Sequence, residues 1–278
     1  MKRNIIFGCI FVFGLGIFLY PTISNWFATR SHYSQVSSYD AKVKALQQGE
    51  LERREKEAKE YNRNVQGSTQ TFADPFAEKE KAGGKSYADA LSIGDVMGYV
   101  EIPKIKVKLP IYQGTSEEVL SRGVGHLDKS SLPVGGTGTH TVLTGHRGLP
   151  SAVLFTDLDK MKESDVFYIH SLDKILAYQV DQIKVVLPSE TEDLLIVNDQ
   201  DYATLVTCTP YGVNTHRLLV RGHRVPYEVA GKGKPSENHS ESPIVENWEI
   251  ITAIGILLIG LILILMKRKK EKIIKEAP

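Results

Sequence analysis

The chain has 278 residues, of which 34 are Lys or Arg and 33 are Asp or Glu, for a net charge of +1 with histidine neutral. That length allows one substantial domain with appendages, and the balanced charge gives no general electrostatic reason to expect a nucleic-acid partner. The charge is unevenly placed, however, and both ends show why.

Residues 5–23 form an apolar run behind Met1, Lys2 and Arg3, with Tyr20, Trp26 and Phe27 where an interfacial aromatic belt would lie. The run is only just long enough to span a bilayer, so a cleavable signal peptide competes with an uncleaved anchor. The absence of a clear small-x-small cleavage site favours an anchor over residues 1–24. Residues 25–66 are assigned as a helical segment: from Ser34 to about Val65 the composition turns to Lys, Glu, Ala and Gln, and apolar positions (Val36, Tyr39, Val43 and Leu46, then Ala58, Tyr61 and Val65) recur at helical spacing. Gly49 is expected to break this segment into two helices, and the charged run 50–60 reads as a solvated helix face. Residues 67–91 read as loop and linker. Phe72 and Phe76 flank Asp74-Pro75 there, and a solvated linker has little use for two phenylalanines, so part of it should pack on the domain.

From Met97 the pattern becomes β, within a domain assigned to residues 92–227. Strands are expected at 98–103, 107–112, 139–143, 166–170, 175–183, 202–207 and 217–225, separated by Gly, Pro, Asp and Asn clusters. Short helices are expected near 117–121 and 152–158. Strands at this frequency with few helices predict a mostly β, closed or nearly closed antiparallel barrel. Residues 228–247 are rich in Gly, Ser and Glu without an apolar period and read as a stalk. Residues 248–267 read as a second transmembrane helix. Trp248 introduces an uncharged run at 250–266, and Lys267, Arg268, Lys269 and Lys270 follow at once and open a basic tail at 268–278. The competing reading is a buried core helix, but such a helix rarely ends in consecutive cations. Both basic flanks are then cytoplasmic, and the segment between them faces outward as a multi-pass, membrane-tethered ectodomain.

The chain has two cysteines, and Cys9 lies inside the first apolar run, so Cys208 has no intrachain partner in the ectodomain. Its plain reading is a small buried hydrophobe. Its neighbours argue for more. Thr204-Leu205-Val206-Thr207-Cys208 ends a β-type run, a Pro210/Gly212/Asn214 turn follows, and His216-Arg217-Leu218-Leu219-Val220 resumes strand character. If Cys208 opposes Arg217 in an antiparallel pair, sulfur and guanidinium share a face, and a one-residue slip would separate them. A thiol nucleophile needs such a cation for its thiolate or for the oxyanion it creates. Arg221, on the same face, is the second candidate. Among the 8 histidines, His126, His140 and His146 form the informative cluster. His146, between Gly145 and Gly148 at the close of a strand, is favoured over His140 as the accessible imidazole. No carboxylate is obviously placed to orient it. The histidines show no zinc-ligand spacing, so neither a metal nor a cofactor is expected.

Taken together, Thr204 to Cys208, the stretch from Asn214 to Gly222, and Leu143-Thr144-Gly145-His146-Arg147-Gly148 resemble the sortases, cysteine transpeptidases of Gram-positive surfaces. The resemblance implies a sortase-type antiparallel or mixed barrel of about eight strands. Cys208, His146 and Arg217 are the implied catalytic residues, with Thr207 and His126 as substrate-binding candidates. Asp74-Pro75-Phe76 matches the lid motif of the pilus-assembling class C subgroup, in which the aspartate lies near the arginine and the aromatic ring near the cysteine. The second transmembrane helix points the same way. The implied activity is cleavage of an LPxTG-like signal between Thr and Gly through a thioacyl enzyme, resolved by a lysine amine of another pilin subunit. The implied partners are pilins and the cytoplasmic membrane. Two rivals remain: a sortase using a peptidoglycan-precursor amine to attach proteins to the cell wall, and a non-catalytic tethered binding module.

Overall fold

The computed structural model describes residues 2–77, 87 and 89–227. The stalk, second transmembrane helix and basic tail expected at 228–278 lie outside the described residues.

Helix α1 (Lys2–Lys44) runs unbroken, with Pro21 inside it, through the boundary expected at residue 24. Among the described residues it is the one helix long and apolar enough to cross a membrane. Its first half exposes apolar side chains such as Phe11, Phe13, Ile17 and Phe18, whereas Val36, Tyr39 and Val43 in its second half are buried in the domain core. The helix ends by tightening, as Ala45 N donates to the carbonyls of both Ala41 and Lys42 and Leu46 N donates to Val43 O. The break therefore falls at 45–47, and Gly49 lies in the first turn of α2 (Gln48–Gln66) rather than between the helices. α2 buries the single stripe Leu51, Ala58, Asn62 and Val65. Asn62 fastens that stripe to the barrel. Its Nδ2 donates to Leu132 O at 3.1 Å, and its Oδ1 accepts from Leu132 N at 2.7 Å.

Eight strands close into one barrel in the order β1-β2-β3-β4-β7-β8-β6-β5. They are β1 (Gly98–Ile102), β2 (Val107–Gln113), β3 (Val124–His126), β4 (Thr139–Thr144), β5 (Val166–Ser171), β6 (Lys174–Val186), β7 (Asp201–Thr209) and β8 (His216–Val225). The β2–β3 and β4–β7 pairs are parallel and the others antiparallel, so the barrel is mixed. Helix α3 (Glu117–Arg122) fills the β2–β3 connection and is capped by Ser116.

Two further local expectations differ from the structure. β3 was not foreseen, since three residues are too short to show alternation. Gly125 makes it possible, because a Cβ there would come within 2.3 Å of the Gly114 carbonyl oxygen. The helix expected at 152–158 is instead a chain of turns ending in a 3-10 turn at Leu158–Lys160. The positive φ of Leu154 (40°) is incompatible with a continuous helix there.

Alternation along β7 and β8 sends Ala203, Leu205, Leu218 and Val220 into the main core, while Val206 and Leu219 join a second apolar cluster with Leu127, Val142, Val186 and Leu194. Two histidines are sealed within the fold. The His126 ring meets the Tyr87 hydroxyl through Nδ1 and the Ser131 carbonyl through Nε2. His140 Nδ1 lies 2.8 Å from Leu195 O and its Nε2 2.7 Å from Thr204 Oγ1. A carbonyl can only accept, so His126 Nε2 and His140 Nδ1 carry the protons and the two hydroxyls donate to the other nitrogens.

Burial pushes both imidazoles down to about 4, against a smaller opposing effect of their backbone carbonyl partners. The unfolded chain therefore binds more protons than the folded one between about pH 6.5 and pH 4, and stability falls as pH drops through that window. Each histidine accounts for at most about 3 kcal/mol of that loss. Thermal unfolding of the full chain in detergent should show Tm falling from pH 7 to pH 4.5. His140→Gln should flatten that dependence, and an unchanged slope would remove His140 from the account.

Candidate active site

The end of β7 and the start of β8 pair so that Cys208 is directly opposite Arg217 and Thr209 opposite His216. The connection at 210–215 turns back with Gly212 and Asn214 at positive φ. Cys208, a free cysteine, is 7% exposed. Burial pushes its thiol above the ordinary value; Arg217 pulls it down, and Asp74 adds a smaller upward push.

The His146 imidazole reaches the same level by a parallel register. β4 pairs with β7 through Thr144↔Val206, so His146 and Cys208 each stand two residues beyond the last paired positions of adjacent parallel strands. The strand ends are locked together there. Gly145 N donates to Val206 O at 3.0 Å, and Thr207 Oγ1 donates to Gly145 O at 2.7 Å. A Cβ on Gly145 would meet the Phe155 ring at 2.7 Å, so this position requires glycine for space. Arg147 adds a second tie through a 3.2 Å hydrogen bond from Nη1 to Thr209 Oγ1, one residue past the cysteine.

Asp74 closes over Arg217. Arg217 Nε donates to Asp74 Oδ1 at 2.8 Å and Nη2 to Oδ2 at 2.6 Å, a fork-on-fork pair. Nη1 donates to the carbonyls of Asn214 and His216, both at 2.9 Å, so most of the guanidinium's donors are engaged. Burial opposes the guanidinium charge, but the hydrogen bonds the guanidinium donates to Asp74 and the negative charges of Cys208 and Asp74 outweigh it and hold Arg217 above its usual value. Pro75 is buried. Phe76 lies between the other two groups, its ring centroid 5.6 Å from that of His146 and 5.0 Å from Arg217 Cζ. Phe72 and Phe76 both pack on the second apolar cluster. The segment is also tied to the β6–β7 connection, where Ile196 N donates to Gln70 Oε1 at 3.0 Å and Thr191 Oγ1 donates to Phe72 O at 3.3 Å.

The structure thus brings Cys208, His146, Arg217, Asp74 and Phe76 to one end of the barrel, but it gives Thr207 and His126 different surroundings. Thr207 is fully buried with its hydroxyl donated to the Gly145 carbonyl, where it holds the His146 strand end. His126 is fully buried with both ring nitrogens occupied. Glu117 was missed. Its two carboxylate oxygens both lie 3.2 Å from His146 Nε2, so a carboxylate does face the imidazole. It comes from α3, 29 residues earlier, and no local spacing could have signalled it. Among the described residues, no group of three or more His, Cys, Asp or Glu side chains is arranged to hold a metal ion.

A cysteine, an imidazole and a guanidinium in this arrangement suit acyl transfer through a thioester, and known proteins agree. The sortase domain model matches residues 100–225. Sortase SrtE1 of Streptomyces coelicolor is 32% identical over 168 residues, which is 55% of this chain and 47% of that protein, so the match spans about half the relative's length. A solved structure of Streptococcus pneumoniae sortase C, described as informing catalysis and pilin substrate specificity, is 51% identical with a TM-score of 0.67, covering 70% of this chain and 97% of that one. The structure of Streptococcus agalactiae sortase C1 is 46% identical with a TM-score of 0.65, covering 70% and 97%.

Because Asp74 both occupies the Arg217 fork and pushes the Cys208 thiol up, Asp74→Ala should lower the thiol's pKa and open its approach. Iodoacetamide labelling of Cys208 at pH 7 should accelerate about three- to tenfold, the size expected when a nearby charge shifts a thiol by half a unit to one unit. An unchanged labelling rate would show that Asp74 controls neither access nor ionisation.

Proposed function

The chain belongs to the sortase family of cysteine transpeptidases, and we propose that it is a pilus-assembling, class C member seen with its lid closed. The observation that carries this reading is the Asp74 carboxylate seated on the Nε and Nη2 edge of Arg217, the residue directly across the β7–β8 pair from Cys208. A carboxylate placed there holds the position an incoming carbonyl oxygen needs, as a removable plug would.

With the lid displaced, the Cys208 thiolate attacks the Thr carbonyl of an LPxTG-like signal, forming a C–S bond and a tetrahedral oxyanion. Arg217 donates to that oxyanion through Nε and Nη2, the donors Asp74 had occupied. The C–N bond to Gly then breaks as protonated His146 delivers a proton to the departing amine, and the threonyl thioester remains on the enzyme. A lysine amine of another pilin subunit attacks the thioester and returns a proton to His146. The C–S bond breaks, leaving an isopeptide and a free thiolate. Glu117 stabilises the protonated imidazole at Nε2 through this cycle. We further propose that α1 anchors the chain, that residues 248–267 cross the membrane again, and that the barrel faces outward with both termini in the cytoplasm.

The test uses the full chain in detergent with an LPxTG peptide and a lysine-bearing pilin domain, and products are identified by mass spectrometry. Cys208→Ala should abolish turnover, and Arg217→Ala should lower kcat/KM about 10²–10³-fold, the size of losing an oxyanion donor. An isopeptide to the pilin lysine supports the assembly reading. Products formed only with a peptidoglycan-type amine would replace it with cell-wall attachment.

A further inference from the structure

The side-chain environment of α1 changes abruptly at one place. Phe11, Phe13, Ile17, Phe18, Tyr20 and Ile23 are exposed, with Phe18 reaching 78%. Among the described residues, the next two are the first in the helix to hydrogen-bond the barrel domain. Ser24 Oγ donates to Ser151 O at 3.4 Å, and Asn25 Oδ1 accepts from Val153 N at 3.0 Å. Beyond them Ala28 packs on the core, and His32 Nε2 lies 3.0 Å from Arg122 O. The part of the domain that meets α1 closest to its apolar half is therefore the turn at 149–153, immediately after His146 and Arg147.

We propose that this turn is a membrane-contact surface, seated among the phospholipid headgroups of the bilayer that α1 crosses. The inference rests on the reading of α1 as a membrane anchor. At about 1.5 Å per residue, Ser24 and Asn25 lie within one helical turn of Ile23. Each headgroup layer is roughly 5–8 Å deep, so groups hydrogen-bonded to Ser24 and Asn25 fall inside it. Trp26 and Phe27 mark the same level as interfacial aromatics, with Arg30 Cζ 6.0 Å from the Trp26 ring centroid.

The chemistry of the turn fits that location. Leu149-Pro150-Ser151-Ala152-Val153 carries no charge, with Pro150 and Val153 exposed. Its backbone is largely satisfied without water: Ala152 N donates to Leu149 O, while Val153 N and Ser151 O are taken by Asn25 and Ser24. That lowers the cost of leaving bulk solvent. The preceding cation, Arg147, is turned away onto Asp159 and Thr209. The turn is also rigidly tied to the site. Phe155 N donates to His146 O at 3.1 Å, and Leu154 is held at φ 40° with its side chain buried. Membrane contact would thus set the height above the bilayer at which a substrate carbonyl must arrive to meet His146 and Cys208.

Depth-dependent quenching tests this in the full chain. A single cysteine is introduced into a Cys9→Ser, Cys208→Ala background, labelled with a nitrobenzoxadiazole dye and placed in phosphatidylcholine/phosphatidylglycerol nanodiscs. At Val153→Cys, and independently at Pro150→Cys, the dye should be quenched several times more by headgroup nitroxide lipids than by nitroxides deep in the acyl chain. Phe18→Cys should show the reverse order. Lys44→Cys, about 30 Å further along the helix than Ser24, should respond to neither. Val153→Cys and Pro150→Cys both behaving like Lys44→Cys, with Phe18→Cys still quenched, would overturn the contact surface and leave the anchor intact. An unquenched Phe18→Cys would overturn both.

Discussion

Cys208 and Arg217 share a face because β7 and β8 pair with Thr209 opposite His216, and that register depends on the turn at 210–215. Side chains alternate along a strand, so a slip of one residue would send either the thiol or the guanidinium into the barrel interior. The register is held from both sides. Inward-facing Leu205 and Val220 are fully buried in the main core, and outward-facing Val206 and Leu219 are buried in the second cluster. β4 joins β7 in parallel and carries His146 to the same end. The Thr207 hydroxyl on the Gly145 carbonyl keeps the two strand ends from separating. The juxtaposition of Cys208, Arg217 and His146 is thus a by-product of core packing two and three residues away.

The segment carrying Asp74 acts on this site through charge and through apolar contact. Its carboxylate pairs with the guanidinium and opposes the downward pull of Arg217 on the cysteine's pKa, and its two phenylalanines cover an apolar surface that would otherwise meet water. In the proposed mechanism these are the same contacts a substrate must replace. The arginine needs a negative partner in both states: the aspartate at rest and the oxyanion during reaction. Closure therefore stores the charge complementarity in a reusable form, and burial of the paired charges makes removal of one partner alone costly.

Much of the barrel was legible in the chain. Alternating runs bounded by Gly, Pro and Asn located seven of the eight strands found, because a half-buried strand must repeat every two residues. β3 escaped because it is too short to repeat, and the helix expected at 152–158 is broken by the left-handed backbone at Leu154. The pairing of Cys208 with Arg217 was reachable by assuming a register; His146 was reachable by its position between glycines. Glu117 was not reachable, and neither were the buried surroundings of Thr207 and His126, since each depends on which distant segment the closed barrel brings alongside.

By itself, the order of residues determined what is local: an apolar segment behind basic residues, strand-forming runs, one thiol outside the apolar runs, and a family signature around it. Folding decided what is non-local, namely that Asp74 crosses 143 positions to the arginine fork, that Glu117 faces the imidazole, and that the turn after His146 meets the helix at Ser24 and Asn25. The division is physical. Period and turn chemistry act between neighbours in the chain, whereas ion pairs and close packing select partners only after barrel closure has placed them.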